Sequence, residues 1–189
     1  GLLGLLMLLS CGYADRHRNS SSCEQALVDS LEVRVQDSLF SNVHYSRSQL
    51  LEALTQTQDS LVYYRLLALY GKTFFVSSDF DSILYYNRRV KEFSRNASQS
   101  SESLQSPQWN DVLSDVYNIE GNVWMQLNRP DSAITDYKKA YEYRLKGKKL
   151  HLLPDICINT ADAYLHRSDL AHTASYYRRA LFLCDSLNL

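Results

Sequence analysis

Residues 114–143 read SDVYNIEGNVWMQLNRPDSAITDYKKAYEY, and the order of small, bulky and breaking residues in them decides the fold. Gly121 is followed three positions later by Trp124, a break comes at Asn128-Arg129-Pro130-Asp131, and then Ala133, Tyr137 and Ala140 follow at spacings of four and three. Such spacings put side chains on one helical face, so the stretch predicts two helices joined by a tight turn. The order recurs when Gly71 and Ala161 are laid over Gly121. Phe74, Trp124 and Tyr164 then align, as do Ile83, Ala133 and Thr173, then Asn87, Tyr137 and Tyr177, then Val90, Ala140 and Ala180. Small side chains let paired helices approach closely, and the rings fill the space beside the contact. A glycine inside a helix costs about 0.5–1 kcal/mol against alanine, so Gly71 and Gly121 at one repeat position need a shared reason, and close backbone approach supplies it.

This pattern resembles the tetratricopeptide repeat, with Tyr117, Gly121, Trp124, Ala133, Tyr137 and Ala140 all in place. Glu120 departs from it, standing where the family usually has an aliphatic residue, and in the earlier copy Asn87 and Val90 replace the aromatic and the small residue. The resemblance implies an all-α chain of antiparallel helical hairpins stacked as a right-handed superhelix, with units at 59–97, 108–145 and 154–189. Between them lie a Ser-rich loop at 98–107 and a linker at 146–153. Residues 24–58 form N-terminal helices, a partial or capping repeat, with Leu27, Leu31, Val35 and Leu39 four apart and Leu50, Leu51 and Leu54 in a second segment. The polar cover that a terminal repeat needs is missing after Leu187, so further repeats are expected beyond residue 189.

The 189 residues carry a net charge of −1, which gives no global electrostatic reason to bind nucleic acid. At the N-terminus GLLGLLMLL, residues 1–9, is too short to span a bilayer but fits the apolar part of a secretory signal. Leu8-Leu9-Ser10-Cys11 is similar to a bacterial lipobox, which implies a truncated signal at 1–10, lipid attachment at Cys11 and a polar tether at 11–23. Cleavage after Ala14 is the alternative and leaves a soluble periplasmic product. Of the other cysteines, Cys23, Cys157 and Cys184, the last two sit on apolar faces and are expected as free thiols, a Cys157–Cys184 bridge being the alternative. Cysteine and histidine spacing matches no metal site, and neither a metal nor a cofactor is expected.

Catalytic residues are not expected either. Gly71-Lys72-Thr73 mimics the end of a phosphate-binding loop, but Leu66 stands where that loop needs glycine. Six basic residues between Lys138 and Lys149 read as a solvated helix C-terminus. Asp59, Asp81 and Asp131, each followed by serine and an apolar or small residue, read as helix N-caps. The six Asp-Ser-apolar triplets also resemble the O-glycosylation sequence of exported proteins in some Gram-negative anaerobes. The family's groove is built from the first helix of each unit, and its positions map onto Arg65 and Lys72, then Asp115, Asn118, Asn122 and Gln126, then Asp155, Asp162 and His166. That groove would run from basic to acidic, and Asn118 and Asn122, one turn apart, can bond a peptide backbone. The resemblance implies a non-enzymatic module for a protein or peptide ligand, lipid-anchored on the periplasmic side of a bacterial membrane or at the cell surface. A glycan-capturing lipoprotein of a nutrient-uptake system is the alternative, with Trp109 as its candidate exposed ring.

Overall fold

A computed structural model describes residues 26–35, 41–97 and 106–189, so Cys11, Cys23, the signal and tether segments, Leu39 and most of the Ser-rich loop lie outside the described residues. Among the described residues the chain is all-helical, with eight α-helices and no strand. These are α1 (26–35), α2 (Val43–Gln56), α3 (Ser60–Lys72), α4 (Phe80–Ala97), α5 (Pro107–Gln126), α6 (Pro130–Arg144), α7 (Leu153–His166) and α8 (Leu170–Leu187). Short 3-10 turns cover Thr73–Ser77 and Leu150–Leu152. The chain divides into two compact units between Thr73 and Phe74, inside the segment expected as the first repeat.

In the first unit α1, α2 and α3 share one core of Val28, Leu31, Val35, Leu50, Ala53, Val62 and Leu66. The four-residue periodicity misassigned its edge: Leu27 is 43% exposed and Val28 faces inward, and Leu51 also points to solvent. Asp59 begins α3 by accepting from the amides of Leu61 and Val62. Thr73 closes that helix, its hydroxyl donating to the Tyr70 carbonyl while Arg47 of α2 donates to both its hydroxyl and its carbonyl oxygen.

In the second unit α5 pairs with α6 and α7 with α8, while α4 packs on α5 and α6 on α7. Within the α5–α6 hairpin Asn122 bonds Tyr137, Ala140 receives Ser114, and Asp111 meets Arg144; as one number falls the other rises, so the two helices run antiparallel. Each hairpin turn is closed in the same way. The amide of Asp79 donates to the Phe74 carbonyl at 3.1 Å, that of Arg129 to Trp124 at 2.8 Å and that of Asp169 to Tyr164 at 3.0 Å. The residue before each donor is left-handed: Ser78 at φ 53°, Asn128 at 55° and Ser168 at 59°. This six-to-one bond with a left-handed residue inside it satisfies carbonyls that the helix end leaves open.

The helix starts differ from the expectation. Asp79, not Asp81, caps α4, accepting from the Ser82 amide at 3.1 Å, and Asp81 lies in the first turn. Asp131 likewise sits in the first turn of α6, behind an Arg129 cap position that makes no side-chain bond. Pro130 occupies the first helical position there, where a missing N–H costs nothing, and Asp131 still complements the helix dipole. Ser106 and Asp169, neither of them among the expected caps, cap α5 and α8.

Candidate binding face

The repeat positions meet inside the second unit. Gly121 lies against Tyr137: a Cβ added there would come within 2.3 Å of Cε1 of the ring. Ala133, Ala140, Ala163 and Tyr164 are buried in the same cluster, with Trp124 packed on it and its indole N–H donating to Asp136 at 2.8 Å. Ala161, Thr173 and Ala180 are buried at the equivalent places of the last hairpin. Phe74 packs against Ile83, Ile119 and Val123, and Val90 is fully buried. Asn87, where the other copies have tyrosine, is buried too and donates to the Val116 carbonyl at 3.1 Å, tying α4 to α5. Gly71 is buried in the first unit.

Asp115, Asn118, Asn122 and Gln126 of α5, expected in the groove, stand at helical spacing on one polar stripe, which α7 continues. Asn159 of α7 donates to Asn118 of α5 at 3.1 Å, bridging the two helices. Tyr137 donates to Asn122 at 2.8 Å, and forty residues on Tyr177 donates to Asp162, so the same tyrosine-to-groove bond is made twice. The bond to Asp162 raises the Tyr177 phenol above its usual range, and burial does the same for Tyr137. Gln126, Asp155 and His166 are exposed. Ile158 and Leu165, at 40% and 46% exposure, lie among them; side chains read singly as apolar gave no signal that they face water. The face therefore offers amides and carboxylates interleaved with two aliphatic side chains, which suits a partner with an exposed backbone and apolar contacts.

Both basic residues expected in the groove lie in the first unit. Arg65 is only 7% exposed and is spent inside the first unit on Asp29 at 2.8 Å, with Glu32 at 3.8 Å. Lys72 belongs to the same unit, at the end of α3. Arg144, read from sequence as part of a solvated basic run, is 1% exposed and answers Asp111 at 2.7 Å and Asp115. Asp111 also accepts from the amides of Lys148 and Lys149, which pins the loop after α6 over the start of α5. Gly147 is required there, because a Cβ would fall 2.1 Å from Asp111 Oδ1. Two carboxylates thus share one guanidinium.

Glu120, the departure from the family pattern, is 4% exposed and pairs with Lys91 of α4 at 2.6 Å. Burial pushes its carboxyl above the usual carboxylate range against the pull of Lys91, and burial does the same to Asp136. Between them Tyr117 lies with Lys91 and Lys139 about its ring at 5.2 and 5.1 Å, its phenol pushed up to about 12 by desolvation. Trp109, the candidate glycan-stacking ring, is fully buried, donating to Ser94 at 3.0 Å and meeting Phe93 edge-on. Cys157 and Cys184 are free thiols, the first buried with its thiol pushed up to about 11.

No protein-family model matches the chain. No curated protein matches it. Among solved structures the chain is similar to BtubC (BKLC) from P. vanneervenii, at 14% identity and a TM-score of 0.44 over 85% of this chain and 80% of that one.

Proposed function

We propose that the second unit is a tetratricopeptide array, right-handed in its superhelix, and that the chain is a non-enzymatic module that binds a protein or peptide along α5 and α7. The observation that carries this is the repeated hairpin. Gly121 and Ala161 share one position, Tyr137 and Tyr177 make the same bond to Asn122 and Asp162, and the turns at Ser78, Asn128 and Ser168 close alike. A rigid scaffold of that kind presents its first-helix residues in register, and Gln126, Asp155, Ile158, Leu165 and His166 are the side chains left open to a ligand. The apolar run before Cys11 supports export and a lipid anchor at that residue.

Panning the chain against displayed random peptides, then titrating the selected peptides calorimetrically, tests the reading. Asp155→Arg with Leu165→Ser is expected to weaken binding at least ten-fold, a loss of about 1.4 kcal/mol or more. Selected peptides indifferent to both substitutions would sink it. A glycan array run in parallel addresses the nutrient-uptake alternative, which loses its candidate ring through the burial of Trp109. Mass spectrometry of the N-terminal peptide after expression with its signal tests the anchor, which requires acyl mass on Cys11 and none on a Cys11→Ser chain.

A further inference from the structure

The second unit has two seams between neighbouring hairpins, α4 on α5 and α6 on α7, and they occupy matching repeat positions with different chemistry. In the α6–α7 seam Tyr137 and Tyr141 join one apolar cluster with Ile156, and the Thr160 hydroxyl is answered within its own helix, donating to the Ile156 carbonyl at 2.7 Å. The α4–α5 seam has Asn87, Lys91 and Glu120 at those places. Asn87 is fully buried and gives an N–H to the Val116 carbonyl at 3.1 Å, but its Oδ1 is buried with no hydrogen-bond partner among the described residues. An acceptor left open in this way keeps the full cost of leaving water. Glu120 is buried against Lys91 at 2.6 Å. Desolvation still pushes its carboxyl above the usual range, so the pairing does not recover what the carboxylate lost with its hydration. Apolar contacts frame the three polar side chains, Ile83 with Ile119 and Val123 on one side and Phe93 edge-on to Trp109 on the other.

We propose that the α4–α5 seam is a conformational joint, at which α4 leaves α5 as one piece while the α5–α6 and α7–α8 hairpins stay folded. Helices stacked in sequence touch mainly their neighbours, so stability is close to a sum over seams and the seam of least favourable chemistry opens first. Parting α4 from α5 returns Lys91 and Glu120 to water and lets the Asn87 carbonyl bond to solvent, which offsets part of the apolar surface exposed. Parting α6 from α7 exposes Tyr137, Tyr141 and Ile156 and rehydrates no buried charge in exchange. The joint lets the chain that precedes α5 change its attachment without melting α5 and α7. Its residues all lie inside the second unit, and the inference uses nothing about what the α5–α7 face binds.

Native-state hydrogen exchange of the full chain, followed residue by residue at rising urea below the unfolding transition, tests it. In the unsubstituted chain the best-protected amides of α4 are expected to exchange through one shared opening, about ten-fold or more ahead of the best-protected amides of α6 and α7 once intrinsic rates are divided out. Lys91→Met strands the Glu120 carboxylate and is expected to speed the α4 amides by about a further ten-fold while those of α7 and α8 keep their rates. The triple variant Asn87→Leu/Lys91→Met/Glu120→Leu makes the seam apolar like its neighbour and is expected to bring α4 level with α6. Circular dichroism checks that each variant folds, and the comparison of helices within the unsubstituted chain requires no variant at all. Equal protection of α4 and α6 in that chain, a Lys91→Met effect spread over every helix, or a folded triple variant whose α4 still opens first would each overturn the proposal.

Discussion

Gly121→Ala asks directly whether close helix approach is what holds the α5–α6 hairpin. In an exposed helix the change would stabilise by about 1 kcal/mol through backbone entropy and propensity. Here the added methyl would sit 2.3 Å from Cε1, 2.5 Å from Cδ1 and 2.9 Å from Cζ of Tyr137. Carbon atoms rest at about 3.5–4.0 Å, so the ring must retreat by more than about 1 Å. It has little room to do so, being 2% exposed with its hydroxyl held by Asn122 at 2.8 Å. Overpacking of this kind costs about 1–3 kcal/mol, more where the neighbour is pinned. With about 3 kcal/mol of overlap set against about 1 kcal/mol of propensity, the net loss is about 2 kcal/mol, read as a lower urea midpoint at unchanged slope. In a Tyr137→Leu background, which removes the colliding ring edge, most of that loss should vanish. A Gly121→Ala chain more stable than the parent, or one whose penalty is the same in both backgrounds, would refute the reasoning.

Other consequences follow from the turns and the buried charges. Ser168 holds φ 59°, a conformation that costs a residue with a Cβ about 1 kcal/mol, so Ser168→Gly should raise stability by about 0.5–1 kcal/mol in thermal unfolding. Arg144→Met strands Asp111 and Asp115 and should cost about 3–5 kcal/mol in urea titration, with faster amide exchange at Lys148 and Lys149, whose amides Asp111 holds. Burial raises the Glu120 carboxyl above 4.5 in the fold, so the native state holds that proton more tightly than the unfolded chain does. The penalty for its ionisation is present at neutral pH and is relieved as pH falls through the raised value toward 4.5. Stability measured against pH should therefore shift in favour of the parent over Glu120→Gln across that window, and a flat difference would contradict the burial of the charge.

The fold class was legible because helical periodicity and chain breaks are local, and the positions of Gly121, Trp124, Ala133, Tyr137 and Ala140 carry their meaning within one hairpin. Faces one residue wide were less so: Leu27 and Val28 both suit a helix, and only the packing of three helices chose the valine. Caps slipped for a similar reason. Asp79 and Asp81 are both good N-terminal residues, and the left-handed Ser78 just ahead of them decides where the helix begins. The register of the repeats set which residues of α5 and α7 share a stripe, but not which charges are buried. Arg65, Glu120 and Arg144 look like surface residues in any window of sequence. Their partners lie 36, 29 and 33 positions away, at Asp29, Lys91 and Asp111.

By itself, then, the order of residues determined the helices, their breaks and the small-against-large matching of each hairpin, since those depend on neighbours within a few turns. The tertiary structure alone decided which charges are buried and which apolar side chains are left in water. An ion loses its hydration only when a partner from another helix is there to replace it, and a leucine or phenylalanine stays exposed only where no helix arrives to cover it. Arg144 beneath its two aspartates and Ile158 and Leu165 in water on α7 are both outcomes of that kind.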